Sequence, residues 1–264
     1  MDFTGKVVLI TGASAGIGAS CAIHFAKLSA NLALVGRNVN NLNKVAEQCE
    51  EASGVKPLII TADISVEENI ARIVAVTIDT YGKLDVLVNN AGLLIMAGVM
   101  DDIKAFDRLV ATNIRGPYLL TQQSIPHLIE TKGNIVNVSS IISSVPIPAM
   151  MPYCMTKAAL DMFTKCVALE LAGKGVRVNS VNPGPVETDL FKRAGFDEDG
   201  HKGFFAGMTA LMPLKKYAVG DDVAKLVAFL ASENASCITG SHHQVDCGLH
   251  LGQPLIDEKQ VTTT

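Results

Sequence analysis

Short apolar runs alternate along the chain with longer segments whose apolar positions recur every three or four residues. The short runs predict strands at 6–10, 31–35, 58–61, 86–89, 134–139, 177–181 and 243–245. The longer segments predict helices at 16–28, 40–52, 66–81, 102–130, 153–172 and 220–231. Runs such as Val86-Leu87-Val88 and Ile135-Val136 place apolar side chains on both faces of a strand. A strand with one wet face would alternate instead, so these strands are covered on both sides. Strand–helix alternation of this length means parallel βαβ units. The expected fold class is α/β, a doubly wound parallel seven-stranded sheet with helices on both faces. The chain has 264 residues, which suits one domain of this kind at 1–252. The segment 188–216 has no clear strand and mixes Gly, charge, Phe and Met. It reads as an irregular lid over a substrate. The polar residues 253–264 read as a flexible tail.

Composition narrows the function classes. The hydrophobic set is 48% and charged residues 18%, so the chain buries a large core. A net charge of −4 offers no basic stripe for a nucleic acid. The six cysteines (Cys21, Cys49, Cys154, Cys166, Cys237, Cys247) include no CxxC pair and read as free thiols of a reducing compartment. His242 and His243 adjoin on a strand and point to opposite faces, so no metal is expected. The longest apolar run, 92–100, is too short for a bilayer. No secretory pattern precedes the first strand, and Thr262-Thr263-Thr264 is not a retention or peroxisomal address. A cytoplasmic protein is expected.

The first strand runs into Thr11-Gly12-Ala13-Ser14-Ala15-Gly16-Ile17-Gly18, and a helix follows. Glycines there let the backbone turn sharply and approach a pyrophosphate, which the free N–H groups of the helix start would hold. The spacing is GxxxGxG rather than GxGxxG. Further on come Asn89-Asn90-Ala91-Gly92, Asn113, Ser139-Ser140, Tyr153-Cys154-Met155-Thr156-Lys157 and Asn182-Pro183-Gly184, in that order. With Thr11 before the glycines, the chain resembles the short-chain dehydrogenase/reductase family over about residues 4–250. That family's TGxxxGIG, NNAG, YxxxK and PG motifs all find counterparts. The resemblance implies a Rossmann-type domain and a nicotinamide dinucleotide. It places cofactor contacts at Gly12, Ser14, Gly16, Ile17, Gly18, Asn38, Asn90, Ala91, Gly92, Pro183, Gly184 and Val186. It also makes Asp63 and Ile64 the pair that holds the adenine, and Thr188 the residue that fixes the nicotinamide carboxamide. The second strand ends in Val35-Gly36-Arg37-Asn38, with no acid. An acid would bind a ribose 2′-hydroxyl and repel a 2′-phosphate, whereas Arg37 can grip one. NADP(H) is therefore expected ahead of NAD(H), although position 15 is Ala where many NADP-preferring relatives carry a second basic residue.

Tyr153 and Lys157 lie one turn apart on a helix and share a face. Reducing a ketone needs a hydride at carbon and a proton at oxygen. A phenol with pKa near 10 is sluggish in this role, and a neighbouring ammonium should lower it. Tyr153 is thus expected as general acid or base, with Lys157 tuning it. Ser140 is expected to donate to the substrate oxygen. By resemblance, Lys157 also holds the nicotinamide ribose, and Asn113 a water linking Lys157 to solvent.

The expected walls of the substrate site are apolar: Leu94, Ile95, Met96, Ile141, Ile142, Pro146, Ile147 and Met151, with Phe191, Phe204, Phe205, Met208 and Met212 from the lid. They suggest a lipophilic ketone or aldehyde and its alcohol. Two alternatives stand beside this. One is reduction of a 3-oxoacyl thioester on an acyl carrier protein, docked by Lys192, Arg193 and Lys202 but diluted by Asp189, Asp197, Glu198 and Asp199. The other is a catalytically silent dinucleotide-binding sensor or scaffold, against which the complete Asn113, Ser140, Tyr153 and Lys157 set argues. The resemblance implies a homotetramer or a dimer. The C-terminal motif departs from the family at Cys247, where Gly is usual.

Overall fold

The computed structural model describes residues 1–188 and 190–252, without the side chain of Lys192. Asp189 and the tail from 253 onward, expected to be flexible, lie outside the described residues. The strands are β1 (Val7–Thr11), β2 (Asn31–Gly36), β3 (Leu58–Thr61), β4 (Val86–Asn89), β5 (Asn134–Val138), β6 (Arg177–Pro183) and β7 (His242–Val245). They form one sheet in the order β3-β2-β1-β4-β5-β6-β7, and every neighbouring pair is parallel. The expected doubly wound seven-stranded sheet is therefore present.

Strand residues alternate between two cores, as a period of two requires. Val8 and Ile10 of β1 face a cluster containing Cys21 and Phe25 of α1 (Gly16–Lys27), Leu42 of α2 (Val39–Ser53) and Val227 of α9 (Gly220–Ala231). Val7 and Leu9 face the other side. There they meet Ile70 and Ile73 of α3 (Glu67–Tyr81), Leu120 and Leu128 of α5 (Gly116–Thr131), and Leu171 of α6 (Met151–Leu171). Leu9, Ile10 and Leu87 are fully buried, each contributing about 1.5–3 kcal/mol. Buried Asp85 accepts from the Val7 N–H at 2.9 Å and from Lys6 Nζ at 3.1 Å. It thereby locks the start of β1 to β4. These are the two central strands between which the chain order reverses, and ligands of such sheets bind beyond their carboxyl ends.

Two sequence expectations need correction. The single helix expected at 102–130 is broken. It runs as α4 (Ile103–Val110), a π-helical turn (Ala111–Arg115) and then α5. Periodicity alone does not separate these pieces, because the chain never leaves helical geometry. The segment expected to be irregular is largely helical, with α7 (Leu190–Arg193) and α8 (Glu198–Leu211). Asp197 caps α8 by accepting from the Gly200 N–H at 2.7 Å, and Phe205 packs inward at 5% exposure. Gly200, Gly203 and Gly207 each lower helix propensity by about 1 kcal/mol; tertiary packing of the aromatic face overrides them. Among the described residues, no helix is long and apolar enough to cross a membrane.

Candidate active site

At the carboxyl end of β1 the chain turns into α1 through a left-handed Gly12, φ +67°. A Cβ on Gly12 would sit 2.8 Å from Asn90 Nδ2 and 2.9 Å from Ala91 Cα. On Gly18 it would sit 2.3 Å from the Gly12 carbonyl oxygen, so only glycine fits at either position. Thr11 ties this turn to β4. Its hydroxyl accepts from the N–H groups of Asn90 and Ala91, both at 3.0 Å, while Asn90 Nδ2 donates back to the Thr11 carbonyl at 2.8 Å. The helix start has no side-chain cap at Ala15. Ser14, Ala15, Gly16 and Ile17 instead line a cavity of about 380 Å³. A bare helix start behind a turn that admits no Cβ is a cradle shaped for a pyrophosphate. The residues present fit a dinucleotide.

Arg37, Asp63, Ile64, Ala91, Gly92, Pro183, Gly184, Val186 and Thr188 line the same cavity. Arg37 Nη1 lies 3.4 Å from Asp63 Oδ2; the arginine is 69% exposed, so the pair contributes little to stability. Asp63 Oδ1 accepts from the Ser65 N–H and hydroxyl at 2.9 and 2.7 Å. Burial raises the Asp63 carboxyl, but these bonds and Arg37 outweigh it and hold the carboxyl below its ordinary value. Asn38 is set behind this wall. It caps α2, accepting from Asn41 N–H at 3.0 Å, and lines a second, polar cavity.

Tyr153 and Lys157 stand one turn apart near the start of α6, both buried and both on the first cavity's wall. Lys157 Nζ donates to the Val138 carbonyl at 2.8 Å and lies 5.6 Å from the centre of the Tyr153 ring. Ser140 follows β5 and faces the same space. Burial pulls the Lys157 ammonium down to about 8, against the opposing pull of Asp161. Burial also pushes the Tyr153 phenol up, and Cys154 adds to the rise. This corrects the expectation that Lys157 holds the phenol low. The ammonium gives one of its three N–H groups to the Val138 carbonyl, and desolvation disfavours the charged form of both groups.

Asn113 does not line the cavity. It is 1% exposed, inside the π-helical turn. Its side chain accepts from Leu93 N–H at 2.8 Å and donates to the Leu93 carbonyl at 2.9 Å. It also donates to Thr156 Oγ1 at 3.1 Å, joining the turn after β4 to the Tyr153 helix. A π-helical turn adds a residue to the helical count and often marks a functional position.

The cavity's second half is apolar. Leu94, Met96, Ile141, Ile142, Ile147, Phe191, Phe204 and Met208 line it, as expected. Ile95, Pro146, Met151, Phe205 and Met212 do not. Phe205 and Met212 belong to the interior, at 5% and 0% exposure. Sequence reasoning missed Met150, Leu190, Phe196 and Leu249, which also face the space. It missed Asn182 as well, whose Nδ2 donates to the Ser140 carbonyl at 3.1 Å and to Asp161 Oδ2 at 2.9 Å. A polar residue within an otherwise buried strand was its available signal.

A family profile described as enoyl-(acyl carrier protein) reductase matches residues 12–250. L-xylulose reductase of Caenorhabditis elegans is 38% identical over 94% of this chain and 96% of its own. The 3-oxoacyl-[acyl-carrier-protein] reductase FabG of Thermotoga maritima is 34% identical over 94% of this chain and 99% of its own. The crystal structure of L-sorbose reductase from Gluconobacter frateurii, complexed with NADPH and L-sorbose, superposes with a TM-score of 0.87. It is 32% identical and covers 95% of this chain and 98% of its own.

Proposed function

This chain belongs to the short-chain dehydrogenase/reductase family, and from that premise we propose that it interconverts a lipophilic ketone or aldehyde and its alcohol with NADP(H). The observation that carries the reading is one cavity bounded by the glycine cradle, by Ser140, Tyr153 and Lys157, and by an apolar wall. When bound, the cofactor supplies or accepts the hydride at carbon. Every other task falls to the chain. Tyr153 gives its phenolic proton to the carbonyl oxygen in reduction and takes it back in oxidation. Its burial keeps it protonated at neutral pH, the form that reduction consumes. Ser140 donates to the same oxygen as negative charge grows there. Lys157 steadies the ribose and favours the phenolate as the proton leaves. Asn113 holds the turn carrying Leu93 against α6 and orders a water beside Lys157. Gly12, Ser14, Gly16, Ile17 and Gly18 cradle the pyrophosphate, while Asp63 and Ile64 flank the adenine. Asn90, Ala91, Gly92, Pro183, Gly184, Val186 and Thr188 wall the nicotinamide half. The helices α7 and α8 act as the substrate lid.

The relatives named for sugars act on polar substrates, and the apolar wall here argues for a different one. A second reading, reduction of a 3-oxoacyl thioester, is favoured by the FabG relative and by the same wall. Oxidation of NADPH and NADH against lipophilic ketones, aldehydes, sugars and a 3-oxoacyl thioester tests both. Turnover restricted to sugars would overturn both.

Arg37 and Asn38 stand where a 2′-phosphate is read. Arg37→Ala should raise KM for NADPH about tenfold or more while leaving that for NADH within twofold; an equal rise in both would remove Arg37 from that role. We also infer a cytoplasmic homotetramer. Tyr118 on α5 and Met162 and Leu169 on α6 are 51%, 58% and 84% exposed, an apolar face suited to a second copy. Light scattering should give four times the 27.9 kDa chain mass; a monomer at micromolar concentration would refute it.

A further inference from the structure

The lid has two unlike faces. Phe191, Phe204 and Met208 border the apolar half of the main cavity. Phe191 and Phe204 belong to one aromatic cluster, their rings 4.5 Å apart. Arg193, the last residue of α7, looks the other way as well. It lines a second cavity together with Ser14, Ala15, Arg37, Asn38 and Asn41. That cavity adjoins the main one through Ser14, Ala15, Arg37 and Arg193, which border both. Among the described residues its walls hold two arginines and no carboxylate; on the main-cavity side Arg37 lies 3.4 Å from Asp63.

We propose that Arg193 is a specificity-determining residue: the lid reaches across to the adenosine end and grips the 2′-phosphate jointly with Arg37. This deepens the proposed function and rests on its NADP reading. The two guanidiniums come from segments far apart in sequence, the end of β2 and the substrate lid. A dianionic phosphate between them accepts charge-assisted bonds from both. Arg193 then supplies the second cation that position 15, an alanine, does not. One consequence is mechanical. The 2′-phosphate draws in α7, whose Phe191 borders the substrate space, so NADP(H) closes the lid and NAD(H) does not. The lid thereby reads the cofactor before it meets the substrate, which a contact confined to the β2 end would not achieve.

Cofactor fragments on the full chain separate this from activity. Adenosine 2′,5′-bisphosphate and 5′-AMP are titrated calorimetrically into wild type, Arg193→Gln and Arg37→Ala, with chymotryptic cleavage in 190–212 followed in parallel. The exposed arginine side chain makes loss of folding on substitution an easily checked exception. Arg193→Gln should weaken the bisphosphate about tenfold and leave 5′-AMP within twofold, and Arg193→Lys should restore part of the loss. The bisphosphate should slow cleavage of the wild-type lid, and 5′-AMP should not; in Arg193→Gln neither should. If Arg37→Ala abolishes the preference for the bisphosphate while Arg193→Gln keeps it, the lid contact is wrong and the NADP reading stands. If wild type binds both fragments equally, the NADP reading falls and this proposal with it.

Discussion

Tyr153→Phe should lower turnover by about 10³-fold or more while the affinity for NADPH stays within twofold. The variant removes one oxygen and keeps the ring that packs beside Leu94, Leu109 and Ile142 in the local core. Folding and the cofactor cradle should therefore persist. What is lost is the phenolic proton that the proposed reaction gives to the substrate oxygen. General acid–base contributions of about 10²–10⁴ are typical, and the Ser140 hydroxyl remains to polarise the carbonyl, so the residual rate should stay above background. Steady-state kinetics with a calorimetric cofactor titration decides it. Wild-type turnover would mean another group carries the proton; lost cofactor binding would mean that the ring, not the hydroxyl, matters.

Lys157→Met should lose turnover by at least about 10²-fold and, alongside, reverse a pH-dependent handicap of the fold. The Lys157 ammonium falls from 10.5 to about 8 through burial. Below pH 8 the folded and unfolded chains both carry the proton, and the folded state bears the full cost of burying it. Between about pH 8 and 10.5 the folded chain releases the proton first. The unfolded chain then binds more protons, so stability rises with pH. The slope is about 1.4 kcal/mol per unit, or about 3 kcal/mol across the window. Methionine removes the charge, at the cost of leaving the Val138 carbonyl without its donor, about 1–3 kcal/mol. The diagnostic is therefore the slope and not the absolute value. Relative to wild type, Lys157→Met should be most stable near pH 7 and lose that advantage steadily up to pH 10 in urea unfolding. A flat difference would mean that burial leaves the lysine's proton affinity unchanged on folding. The residue proposed to favour the phenolate during proton transfer is thus one whose position works against the stability of its own fold.

The strands and the chemistry-bearing motifs were legible in the sequence because both are local. Val86-Leu87-Val88 can only be a covered strand, and the glycines of the first turn can only be a close approach. Their arrangement around one cavity followed from the strand order. Three features were not legible, each because it depends on residues distant in sequence. The glycines of α8 look like a loop until Phe205 finds an interior to fill. Phe205 and Met212 read equally well as wall or core until packing decides. Arg193 is an ordinary surface cation until the end of β2 is brought beside it. The phenol of Tyr153 was misjudged for another reason. A lysine one turn away suggests charge, yet burial governs both groups.

The π-helical turn at residues 111–115 gives the site a dependence on residue count as well as residue identity. Each residue advances a helix by about 100°. Deleting one position there would restore an ordinary helix and swing α4 relative to α5, so Asn113 would no longer face both Leu93 and Thr156. A chain could keep every named side chain of this site and still lose its alignment through a single-codon deletion. Length between Leu93 and Tyr153 is thus itself part of what the site requires.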